Sequence, residues 1–122
     1  MRLPAPRTAL AVMAGLLGIV HLGLTPLAYA SWTIDTLWFV GTGMAMVVAA
    51  AANVIAGEAP GLSIRMSLTT INIAMGGFFA AAWLVLPGPQ VIIGGLLFLG
   101  LALCSLVGKA SRDAPHKNSP LV

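Results

Sequence analysis

The stretch TPLAYASW, Thr25 to Trp32, decides how many helices this chain keeps. It follows a positively charged start and a long apolar run. Ala28-Tyr29-Ala30 has the small-x-small form of a signal peptidase site, with Ser31 next. On one reading Met1 to Ala30 is a secretory signal. MRLPAPR is then the positive region, TALAVMAGLLGIV the apolar region, and HLGLTPLA leads to the cut. On the other reading the stretch is the outer loop of a membrane protein that keeps its first helix. Two features favour retention. The apolar stretch continues past His21 through Leu22, Leu24 and Leu27, which makes it long enough to span a bilayer. Three further apolar segments follow, so the chain is a membrane protein in either case. Cleavage after Ala30 would leave three spans and an unchanged charge bias. We therefore expect four helices, with the cleaved form as the alternative.

Composition agrees with a membrane chain. Of 122 residues, 59% are hydrophobic and only 7% charged, against about 25% charged in a soluble domain. The net charge of +3 is not a nucleic-acid patch, because the basic residues flank apolar segments. A single cysteine, Cys104, excludes an internal disulfide and any multi-cysteine metal site.

A helix needs about 20 mostly apolar residues to cross a bilayer. Four segments qualify, at about 8–27, 35–55, 65–86 and 91–108, and together they make a membrane domain over 1–108. Thr25-Pro26 should stop the first. AGEAPG (Ala56–Gly61) ends the second, and PGPQ (Pro87–Gln90) parts the third from the fourth. The runs are too continuously apolar for barrel strands, which alternate. The expected fold is all-α, a polytopic membrane bundle of four helices. Residues 109–122 are polar, carry Pro115 and Pro120, and read as a disordered tail containing His116.

Charge sets the direction. Arg2 and Arg7 precede the first segment, Arg65 lies by the second connection, and Lys109, Arg112 and Lys117 follow the fourth. The other two connections contain no Lys or Arg. The positive-inside rule then places both termini in the cytoplasm of a multi-pass protein of the bacterial inner membrane.

Helices in lipid associate through small residues and polar contacts, since lipid tails are as apolar as leucine. Ala11 and Gly15, Ala14 and Gly18, and Gly100, Cys104 and Gly108 recur at four-residue steps. Gly41, Gly43 and Ala49–Ala52 do similar duty in the second segment, and Gly76-Gly77 with Ala80–Ala82 in the third.

Polar residues inside spans are expensive and therefore informative. Asp35, Thr42 and Asn53 fall on one face of the second helix, with Trp38 beside them. His21 and Thr25 share a face of the first. In an antiparallel pair His21 should lie level with Leu37, within reach of Asp35, Trp38 and Thr42. His21, Thr25, Asp35, Trp38 and Thr42 therefore form the candidate polar site. Each also has a plainer use: Asp35 can cap its helix, Trp38 can join an interfacial aromatic belt, and His21 can pair with Thr or Asp. Asn53 and Asn72 are expected to hydrogen-bond between the second and third helices. No catalytic residue or metal ligand set stands out, since a glycine-rich phosphate loop, HExxH and a Ser/His/Asp cluster are all absent from the sequence.

The stretch His21–Ile55 resembles small bacterial membrane proteins with four spans. The shared pattern is His21 and Pro26 near the end of the first helix, Leu37-Trp38-Phe39, Gly41 and Gly43 opening the second, and Asn53 near its end. The layout is also similar to the DoxX-like group, without a specific motif of that group. In size the chain is similar to small multidrug resistance transporters, but those rely on a Glu within the first helix, and this helix has no carboxylate. Neither likeness implies an activity. The sequence favours a non-enzymatic membrane protein acting by assembly or interaction, without a cofactor. Its partners would be the lipid bilayer and a second copy or another membrane protein, not nucleic acid. The alternative is a small-solute or proton-linked transporter built on His21 and Asp35. A haem protein would need a dimer, because one His alone lies within a span.

Overall fold

A computed structural model of the chain describes residues 5–107. Its regular structure is helical throughout: α1 (Pro6–Ala28), α2 (Ile34–Ile55), α3 (Leu62–Val85) and α4 (Pro89–Val107). All four are long and apolar enough to cross a membrane. The polar tail and His116 lie outside the described residues.

Local chemistry explains the helix ends. α1 starts with Pro6, whose fixed φ suits the first turn and whose missing N–H has no partner there anyway. Thr25-Pro26 does not stop it where expected. Pro26 removes one backbone donor, but the next turn still closes, with Tyr29 N–H bonded to the Thr25 carbonyl at 3.0 Å. α1 therefore ends at Ala28. α2 is capped by a reciprocal box. Thr33 Oγ1 accepts from the Thr36 N–H at 3.2 Å, and the Thr33 N–H donates to Thr36 Oγ1 at 3.3 Å. Thr36 also donates to the Ser31 carbonyl at 2.9 Å, which ties the connection to the helix. Asp35 is thus not the cap. It sits exposed in the first turn, where its charge suits the helix dipole. The far end of α2 closes on Gly57 at φ +66°, a left-handed position that costs glycine no Cβ clash. α3 begins three residues before Arg65, with Gly61 as its N-cap.

The helices form two antiparallel hairpins, α1–α2 and α3–α4, with extensive contact inside each. α1 also packs on α4, while α2 and α3 touch sparsely. One end of the bundle carries the start of α1, the α2–α3 connection and the end of α4. The other carries the two hairpin connections. The core draws on every helix: Ala11 and Ala14 from α1, Met46, Ala49 and Ala50 from α2, Phe79 from α3, and Val91, Leu97, Phe98 and Leu101 from α4.

Small residues set the closest approaches. A Cβ at Gly18 would lie 2.9 Å from Met46 Cβ and 3.0 Å from the Gly43 carbonyl oxygen. A Cβ at Gly43 would lie 2.8 Å from Leu22 Cγ. Neither helix could come so near with a larger residue there. The third segment departs from expectation. Gly76 and Gly77 have nothing within 4 Å of a would-be Cβ, so they are not the packing surface of α3. That role falls to Phe79, whose ring lies over Gly94 of α4 and stacks on Phe98 at 5.9 Å.

Candidate functional site

At the hairpin end, His21 points across to α2 and meets Phe39, two residues beyond the expected level of Leu37. Its Nε2 lies 3.1 Å from the Phe39 carbonyl oxygen. A carbonyl only accepts, so Nε2 carries the proton in this contact. The imidazole also stacks on the Phe39 ring with centroids 3.6 Å apart, and Tyr29 meets that ring edge-on at 5.3 Å. Gly43 makes room for this, since a Cβ there would lie 3.2 Å from His21 Cδ2.

The rest of the predicted set is only partly brought together. Thr25 is buried and its hydroxyl reaches the His21 carbonyl at 3.5 Å, so these two remain neighbours through α1. Thr42 donates to the Trp38 carbonyl at 2.9 Å, within its own helix. Asp35 and Trp38 are exposed. Among the described residues no ion pair joins Asp35 to His21. The face that held Asp35, Trp38, Thr42 and Asn53 together on the helical wheel turns away from α1 at its outer half. An open groove of about 390 Å³ does lie at this end, and Thr25, Tyr29, Ser31 and Thr36 contribute its polar lining. His21 and Asp35 do not line it.

Toward the terminal end, Asn53 and Asn72 face each other between α2 and α3. Each amide nitrogen donates to the other's oxygen, at 2.9 and 3.0 Å. Asn53 also donates to the Ala49 carbonyl at 2.9 Å. Both side chains are essentially inaccessible. This pair is the main polar link where α2 and α3 are otherwise loosely joined.

The terminal end itself holds two arginines that the sequence marked only as topology signals. Arg65 reaches from α3 to the end of α4, with Nε 3.2 Å from the Ser105 carbonyl oxygen and Nη2 2.9 Å from that of Leu106. A cation there complements the helix dipole and satisfies free carbonyls. Arg7 reaches from α1 to the end of α2, with Nη1 2.6 Å from the Gly57 carbonyl oxygen. Glu58 sits beside it but binds Thr8, accepting from the backbone N–H at 3.1 Å and from the hydroxyl. Each hairpin is therefore tied at its open end by an arginine from its first helix. Position in sequence signalled the charge of these residues, but nothing signalled which carbonyl each would meet.

Among the described residues, no three His, Cys, Asp or Glu side chains gather as a metal site requires. No protein-family model matches the chain, and no curated protein or solved structure matches it either. The likeness to DoxX-like proteins therefore has no family support, and the four long apolar helices stand without it.

Proposed function

We propose that the chain is a small integral protein of the bacterial inner membrane that acts by assembly or interaction rather than by catalysis. Both termini face the cytoplasm in this reading, because every Lys and Arg of the sequence belongs to the terminal end or its flanks. One observation carries the functional part. The buried hydroxyl and amide side chains of the helices are spent on the chain itself: Thr25, Thr36, Asn53, Asn72 and Ser105 all bond to its backbone or to each other. Half-buried His21 is spent likewise on Phe39. Polar groups used this way hold helices together. The outward surface of the helices is mostly apolar and suits lipid or another span.

The transporter alternative rests on His21 working with Asp35, and the contacts of both residues lend it no support. One reconstitution separates the readings. Purified full-length protein in liposomes is assayed for proton flux, alongside His21→Ala and Asp35→Asn. The interaction reading expects flux equal to that of empty liposomes in all three. Flux in the wild type that disappears in both variants would replace it with the transporter.

A further inference from the structure

The hairpin end carries an open groove of about 390 Å³ between the end of α1 and the start of α2. Small-ligand sites run from roughly 300 to 1,000 Å³, so there is room for part of a molecule. Leu22, Pro26 and Val40 give the groove apolar walls, and Thr25, Tyr29 and Ser31 bring hydroxyls to it. The walls are held in place from behind. Thr36 Oγ1 donates to the Ser31 carbonyl at 2.9 Å and fixes the connection. The Tyr29 ring rests edge-on against Phe39, which is itself stacked on His21. The hydroxyls are less firmly engaged. Thr25 is buried, yet its contact with the His21 carbonyl is long at 3.5 Å. It can turn to a better acceptor in the groove at little loss. Among the described residues, no hydrogen bond joins the Tyr29 or Ser31 hydroxyl to the chain.

Charge narrows the occupant. No charged side chain lines the groove, and neither connection at this end contains Lys or Arg. A phosphate or carboxylate would find no cation there, and a cation would find no carboxylate. The matching group is uncharged, accepts hydrogen bonds and continues into an aliphatic chain. A neighbouring helix does not match, because backbone carbonyls within a span are already bonded inside their own helix. The ester carbonyls of a lipid are free to accept. Position agrees with lipid. In the membrane reading the ends of α1 and α2 reach the interface, where exposed Trp32 sits among the aromatics expected there.

We propose that this groove holds one phospholipid by its glyceryl ester segment, in the leaflet at the hairpin end. The hydroxyls of Thr25, Tyr29 and Ser31 donate to the ester carbonyls, and an acyl chain lies along Leu22, Pro26 and Val40. The headgroup stays outside the groove, so its charge does not select the lipid. His21 and Phe39 act behind the wall, by holding Tyr29. The proposal rests on the membrane reading but not on which end faces outward.

The test uses full-length protein in a neutral detergent and native mass spectrometry. The probes are phosphatidylglycerol and phosphatidylethanolamine with ester-linked chains, and the ether-linked counterpart of each. The variants are Thr25→Val, Ala30→Trp, which fills the groove from the connection, and Leu84→Trp as a control on the exposed face of α3 at the same end. The site predicts one retained lipid per chain, equally for the two headgroups. Ester-linked lipid should bind about tenfold more tightly than ether-linked lipid, as expected for losing hydrogen-bond acceptors. Thr25→Val keeps the shape without the hydroxyl; it should weaken the ester-linked lipid several-fold and leave the ether-linked lipid unchanged. Ala30→Trp should weaken both, and Leu84→Trp should bind as wild type does. If Thr25→Val fails to fold, the ether probe and Ala30→Trp still decide. Equal binding of ester and ether lipids by the wild type would overturn the proposal. So would a strong headgroup preference, or retention in Ala30→Trp equal to that of the wild type. Any of these in protein that needs detergent overturns the site alone, whereas protein that stays dispersed without detergent overturns the membrane reading beneath it.

Discussion

Single side chains decide how the two hairpins are joined. Asn53 and Asn72 exchange two hydrogen bonds where α2 and α3 have little other contact. Asn53→Leu leaves the Asn72 amide buried without its partner, and should cost about 1–2 kcal/mol. The double variant, with leucine at both positions, should recover part of that loss because no orphan remains. Unfolding in mixed micelles followed by circular dichroism measures both; a double variant no better than the sum of the singles would deny the pairing. This contact was legible in the sequence, because both residues are polar, lie in apolar spans and flank the same short connection. The partner of His21 was not. Its bond goes to a backbone carbonyl, which every residue has, so no sequence pattern distinguishes Phe39 from Leu37. The helical wheel groups Asp35 with Thr42 but does not say toward which neighbour that face turns.

At the scale of the helix, close approach depends on which glycine faces a neighbour. Gly18→Leu drives a side chain into Met46 and the Gly43 carbonyl. Overpacking of this kind typically costs about 1–3 kcal/mol, and α1 should separate from α2. Gly77→Leu points into open space and should be tolerated, with a small gain from better helix propensity. The fraction of detergent-extracted protein that stays monodisperse on heating reports the difference. Equal sensitivity at the two positions would refute the assigned packing faces. The helices themselves were easy to read: long apolar runs broken by Pro and Gly leave few places for an end. Their observed bounds differ from expectation by at most three residues where both are described. Packing faces were harder. Where nearly every residue of a helix is apolar, Phe79 carries no contrast against its neighbours. A pair of glycines such as Gly76-Gly77 looks like an interface whether or not a helix lies against it.

For the whole molecule, α1 is a structural member rather than an appendage. Ala11 and Ala14 are fully buried, and α1 packs against both α2 and α4. A product beginning at Ser31 would uncover Met46 and Ala50, which Gly18 and Gly15 of α1 approach, and would lose the Arg7 tie to Gly57. The intact mass of protein extracted from membranes should therefore include residues 1–30. The same architecture gathers Arg7, Glu58 and Arg65 at one end and leaves Ser31 and Gln90 at the other. The most direct test of the account is labelling of intact cells with a membrane-impermeant thiol reagent. In a Cys104→Ala background, Gln90→Cys and Ala59→Cys are each offered the reagent from outside. The account predicts that Gln90→Cys reacts at once and that Ala59→Cys reacts only after the cells are broken; reaction of Ala59→Cys from outside, with Gln90→Cys protected, would contradict it.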